Sequence, residues 1–150
     1  MTTTTESFCE KDTFEYAKKL ASEAKKGGVY ALNGPLGAGK TAFAKGFAKG
    51  LGIDEPVVSP TFTLVSIYES GKMPLYHFDV YRISDISEMD ETGFEDYIYG
   101  DGVTLIEWAD LIGPILPGDT IKIWITGDLS KGDSYRKITV EDLTNEHNSD

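Results

Sequence analysis

The chain has 150 residues, of which 40% are hydrophobic and 26% charged, which describes one globular domain and excludes a disordered chain. Its 14 basic and 25 acidic side chains leave a formal net charge of −11, which argues against direct, charge-driven binding of DNA or RNA. The single cysteine, Cys9, excludes an internal disulfide and suits a reducing compartment; it is read as structurally incidental.

The start, MTTTTESFCEKD, lacks a cationic segment followed by an apolar run, and no window approaches the ~20 apolar residues that span a bilayer. The expectation is a cytoplasmic protein without a membrane anchor. Its ends, at about 1–7 and 141–150, are polar and expected to fray. Asp12 is placed to cap a helix over 12–24, with Phe14, Ala17, Leu20, Ala21 and Ala24 on one face. The apolar run 29–32 predicts a buried strand. After a glycine-rich turn, a second helix over about 40–52 carries an inner stripe of Phe43, Ala44, Phe47, Ala48 and Leu51. Gly46 inside that helix costs about 1 kcal/mol relative to alanine and so points to a close neighbour.

Two strand-like stretches around the turn at 70–72 predict an antiparallel hairpin, and 84–91 a short helix with Ile86 and Met89 inward. VTLIEW over 103–108 reads as a strand with an acidic end. TIKIWIT alternates, with Ile121, Ile123 and Ile125 on one face, and pairs with YRKITV in a second hairpin. The order predicts an α/β domain with a mixed sheet (parallel core, antiparallel hairpins) flanked by helices, and GPLGAGKT (34–41) between the first buried strand and the second helix makes it P-loop NTPase-like.

The sharpest signal is GPLGAGKT, Gly34 to Thr41, between the first buried strand and a helix. Polyphosphate oxygens concentrate negative charge. Backbone N–H groups surround them only where side chains do not block the approach, which Gly34, Gly37 and Gly39 permit. The following helix N-terminus adds partial positive charge. Lys40 brings a full charge to the β- and γ-phosphates, and the Thr41 hydroxyl is a Mg²⁺ ligand type. Two strand-end acids, Asp79 after LYHF and Glu107 after VTLI, are candidates to hold Mg²⁺ or orient water, and sequence leaves their division of labour open. His77 reads as a hydrogen-bonded strand residue ahead of a proton carrier. Arg82 reads as paired with a local acid ahead of touching phosphate. Trp108 is divided between core packing and closing the pocket, and Thr61 between a strand residue and a γ-phosphate contact. Asp90–Gly93 spells DxxG without an apolar strand before it. Ser130 stands where a guanine-reading loop wants asparagine, so ATP is favoured over GTP.

Five segments occur in order: LGAGKT (36–41), SPTFTLV (59–65), YHFDVYR (76–82), GFEDY (93–97) and LIEWAD (105–110). Together they resemble the TsaE (YjeE) family over about 13–108. That resemblance implies a slow Mg²⁺-dependent ATPase. It implies action with TsaB and TsaD in the threonylcarbamoyladenosine modification of position 37 in ANN-decoding tRNAs, with tRNA engaged indirectly through the complex. Carried over by position, it implies Lys40 as the phosphate lysine and Thr13 as lying against the nucleotide; with the loop and Thr61 read from the residues, the candidate nucleotide contacts are Thr13, Gly34, Pro35, Leu36, Gly37, Ala38, Gly39, Lys40, Thr41, Ala42, Thr61 and Trp108. It further implies Thr41 and Glu107 as Mg²⁺ ligands, with Asp79, Glu107 and Lys40 serving catalysis. Pro35 stands where the family commonly has an acid, and Ala42 where a hydroxyl residue often follows. Pro35 brings no N–H, so one contact open to another residue is absent. The alternatives from the residues alone are a small metabolite kinase and a nucleotide-dependent binding module without turnover.

Overall fold

In the computed structural model, residues 2–35, 37–58, 60 and 63–142 are described. Among them, seven strands form one mixed sheet: β1 (Thr2–Ser7), β2 (Val29–Asn33), β3 (Val65–Tyr68), β4 (Leu75–Asp79), β5 (Val103–Glu107), β6 (Ile121–Gly127) and β7 (Arg136–Glu141). Their spatial order is β1-β7-β6-β2-β5-β4-β3. The core β6-β2-β5-β4 is parallel, while β3, β7 and β1 join antiparallel. Every residue of β2 and β5 is buried, because helices cover both faces of the parallel centre.

Helices α1 (Glu10–Ser22) and α2 (Lys40–Gly50) cover one face. Phe43, Phe47 and Leu51 of the α2 stripe pack there with Leu32, Leu105, Ile123, Ile125 and Ile138. The opposite face is covered by two 3₁₀ helices (Ile86–Thr92 and Ala109–Ile115) and the short helix α3 (Phe94–Ile98). There Met89, Phe94 and Ile112 meet Phe78 and Ile106. The close neighbour expected at Gly46 is the α1 backbone: a Cβ at Gly46 would lie 2.1 Å from the Phe14 carbonyl oxygen. Gly50 repeats the device one turn on, at 2.2 Å from the Lys18 carbonyl oxygen. No described helix is long and apolar enough to cross a membrane.

Three expectations are corrected. Residues 1–7 were expected to fray, but Thr2–Ser7 pair with β7 along their whole length, Thr2 opposite Glu141 and Ser7 opposite Arg136. Polar composition misleads here, because β-branched threonines suit a solvated outer strand. The C-terminal fraying was drawn from residue 141, yet Glu141 still belongs to β7; residues 143–150 lie outside the described residues. Asp12 does not cap α1. Cys9 is the N-cap residue, and Asp12 Oδ2 instead accepts a 2.9 Å hydrogen bond from the Phe8 N–H. The DxxG stretch ends a 3₁₀ helix at Gly93, and the stretch 128–132 holds one short 3₁₀ helix (Leu129–Lys131) whose N-cap, Asp128, accepts from the Ser130 N–H.

Candidate functional site

The glycine-rich loop leaves β2 at Asn33, whose Oδ1 accepts from the Asp110 N–H at 2.9 Å and so ties this strand end to the one after β5. Gly34 lies against β6: a Cβ there would stand 2.6 Å from the Ile125 carbonyl oxygen. Only a hydrogen fits. Gly37 and Gly39 have φ of 80° and 98°, the left-handed region, and Gly39 is the N-cap of α2. The loop therefore delivers Lys40, Thr41 and Ala42 to the first turn of a helix whose positive end faces a cavity of about 560 Å³.

Arg136, at the start of β7, clamps this loop from the side. Its Nε donates to the Ala38 carbonyl and its Nη2 to the Gly37 carbonyl, both at 2.9 Å. A guanidinium fork thus neutralises two loop carbonyl dipoles that would repel an anion. Sequence reasoning passed over this residue. It is 99 positions from Gly37, and only the β6–β7 register, with Gly127 opposite Arg136, brings it to the loop.

Lys40 is 7% exposed. Its Nζ donates to the carbonyls of Gly34 and Pro35 and lies 3.7 Å from the centroid of the Trp108 ring. Burial pulls the Lys40 ammonium below the ordinary lysine pKa, while Glu107, Asp79 and Asp110 oppose that shift. Trp108 adopts φ 61°, ψ 33°, uncommon for a bulky residue, and its ring packs on Tyr81 at 4.7 Å. That backbone turn brings the indole beside the lysine and into the cavity wall, while the ring also packs against the core that holds Phe78 and Ile106, so both readings of Trp108 are seen.

The two acids meet because β4 and β5 are parallel neighbours in register, with Asp79 opposite Glu107. Both are buried, at 6% and 4% exposure. Asp79 Oδ1 accepts from the Tyr81 N–H at 3.0 Å, and Glu107 Oε2 lies 2.6 Å from His77 Nε2. The hydrogen-bonded reading of His77 is the one seen, and its partner is Glu107. Across the cavity lining, Glu10, Asp79, Glu107 and Asp133 against Lys40, Arg82 and Arg136 leave a formal excess of one negative charge.

The cavity wall brings together Gly37, Ala38, Gly39, Lys40, Thr41, Ala42, Asp79, Glu107 and Trp108 from the predicted set. Thr13 joins them from α1. It is buried, and its Oγ1 shares a 2.7 Å hydrogen bond with Ser7 Oγ. Gly34 and Pro35 stand behind the wall rather than in it, their carbonyls turned to Lys40. Leu36 and Thr61 lie outside the described residues. Arg82 and the exposed Cys9 also line the cavity. Among the described residues no group of three or more His, Cys, Asp or Glu side chains is placed to hold a metal ion alone.

A family model for the threonylcarbamoyl adenosine biosynthesis protein TsaE matches residues 8–138. The chain belongs to the TsaE family. It is 48% identical over 136 residues to the tRNA threonylcarbamoyladenosine biosynthesis protein TsaE of Bacillus subtilis (strain 168), covering 91% of this chain and 83% of that protein. The protein of the same name from Treponema pallidum (strain Nichols) is 40% identical over 129 residues, with 86% and 93% covered. The crystal structure of Bacillus subtilis YdiB superposes with a TM-score of 0.83 at 38% identity, over 99% of this chain and 90% of that one. TsaE proteins are involved in tRNA threonylcarbamoyladenosine biosynthesis. The TsaE match takes in α1, the glycine-rich loop, both acidic strand ends and Arg136, that is, every element that walls the cavity.

Proposed function

We propose that the chain is the Mg²⁺-dependent ATP-binding and hydrolysing subunit of threonylcarbamoyladenosine synthesis at tRNA position 37, working in the cytoplasm with TsaB- and TsaD-type partners. The observation that carries this reading is the meeting, in one cavity, of a helix N-terminus with its lysine and of two carboxylates aligned on adjacent parallel strands. Partial and full positive charge on one side suits a polyphosphate; paired negative charge opposite suits its counter-cation.

Loop amides from Gly37 to Thr41, with Lys40, would hold the β- and γ-phosphates. Thr41 and Glu107 would hold Mg²⁺, which would supply charge neutralisation at the phosphate oxygens. Two protein ligands suit an ion carried in with a nucleotide better than one held by protein alone. Asp79, fixed by the Tyr81 N–H, would orient the attacking water. Thr13 and Trp108 would close the cavity on the nucleotide. The net charge of −11 supports indirect contact with tRNA, held by the partners.

Calorimetric titration with ATP and Mg²⁺, with phosphate release followed in the presence of partners, tests this. Lys40→Ala and Thr41→Ala are expected to abolish Mg·ATP binding or turnover. A wild-type chain indifferent to Mg·ATP would overturn the reading. Transfer of labelled γ-phosphate to an added metabolite pool would favour the kinase alternative, and intact assembly with no release would favour the binding module.

A further inference from the structure

We infer that His77 is a positioning residue: it fixes the carboxylate of Glu107 and, through it, the divalent cation of the site. This rests on the proposed role of Glu107 as a metal ligand. Side chains alternate along a strand, so His77, Asp79 and Glu107 all project to the face covered by α2. Asp79 stands directly opposite Glu107, whereas His77 stands opposite Leu105, one pleat back on the same face. The Glu107 side chain turns back along its strand to reach His77 Nε2 at 2.6 Å.

An ionised carboxylate only accepts hydrogen bonds, so the shared hydrogen sits on Nε2. His77 is 1% exposed, and its other ring nitrogen, Nδ1, has no hydrogen-bond partner among the described residues. Among the described residues the ring makes one polar contact, and that contact is Glu107. Two effects follow. A flexible side chain with three rotatable bonds is held before any ligand arrives, so its ordering entropy is not charged to cation binding. The two neighbouring carboxylates also each have a donor of their own, His77 for Glu107 and the Tyr81 N–H for Asp79. Loss of a residue in this relation to a metal ligand typically lowers affinity for the ion or activity.

The test uses the full chain with His77→Leu, His77→Asn and His77→Gln. Glutamine can place an N–H near the Nε2 position; asparagine stays polar but ends short of it. Mn²⁺ is titrated into each protein saturated with ATP, followed by electron paramagnetic resonance, and ATP affinity is measured separately without divalent ion. His77→Leu and His77→Asn are expected to weaken Mn²⁺ binding by roughly 10- to 100-fold. Metal-free ATP affinity should stay unchanged, and His77→Gln should recover most of the loss. If His77→Leu does not fold, the asparagine and glutamine pair carries the same comparison. Equal Mn²⁺ affinity in wild type and His77→Asn overturns the inference, as does a parallel fall in metal-free ATP binding. A wild-type chain that binds no Mn²⁺ with ATP instead overturns the metal-ligand role of Glu107 itself.

Discussion

Single side chains at this site work through what they exclude as much as through what they bind. Arg136 holds two loop carbonyls that would otherwise face an incoming anion. Arg136→Ala is expected to weaken nucleotide binding about tenfold, of the order expected when a charged hydrogen-bonding group is lost. Amide hydrogen exchange across 37–40 should quicken with it. Arg136→Lys should not rescue, since a point charge cannot span both carbonyls. Tyr30 gives a second prediction. Burial, with Asp142 and Glu23 adding to it, pushes its phenol from 10.0 up to about 12. The folded state therefore keeps the proton longer than the unfolded state. This contribution is complete below pH 10.0 and drains as pH rises through about 12. The span corresponds to on the order of 2 kcal/mol, and denaturant melts of Tyr30→Phe should show a correspondingly shallower alkaline decline.

At the scale of elements, the crossing of α1 and α2 depends on two missing side chains. Gly46→Ala would force a methyl into the Phe14 carbonyl. The expected cost is about 3 kcal/mol, the upper end for overpacking, read as a fall in melting temperature. Gly46 was legible as a weak helix former in a strong helical pattern. Gly50 was not, because near a helix end a glycine already has a reason to be there. The same contrast governs the site. GPLGAGKT is contiguous, so a phosphate-binding pattern can be read in its letters. Asp79 and Glu107 were each visible as acids ending apolar runs. Their alignment, and the reach of His77 to Glu107, come from strand register, which no local window encodes. Arg136 carries no local mark at all. β1 was missed for the opposite reason: four threonines in a polar run look alike whether they pair or fray.

For the molecule as a whole, charge is uneven. Between Arg82 and Lys122 the chain has ten acids and no Lys or Arg. This span supplies the 3₁₀ helices and α3 on the sheet face opposite α1 and α2. Like charges at such density repel one another in the folded state. Added NaCl, up to about 0.5 M, shrinks the screening length toward a few ångströms and should raise the melting temperature. A calorimetric melt insensitive to salt would contradict this electrostatic account.

The left-handed turn at Trp108 has an optical consequence. The chain has two tryptophans, and the other, Trp124, sits exposed on β6. Replacing Trp124 with Phe leaves one tryptophan, with the Lys40 ammonium over its ring and the Tyr81 ring tilted against it. Whatever draws Lys40 toward a newly arrived anion removes a charge from the face of that indole. On the proposed reading, the emission of that indole should report filling of the site without a label.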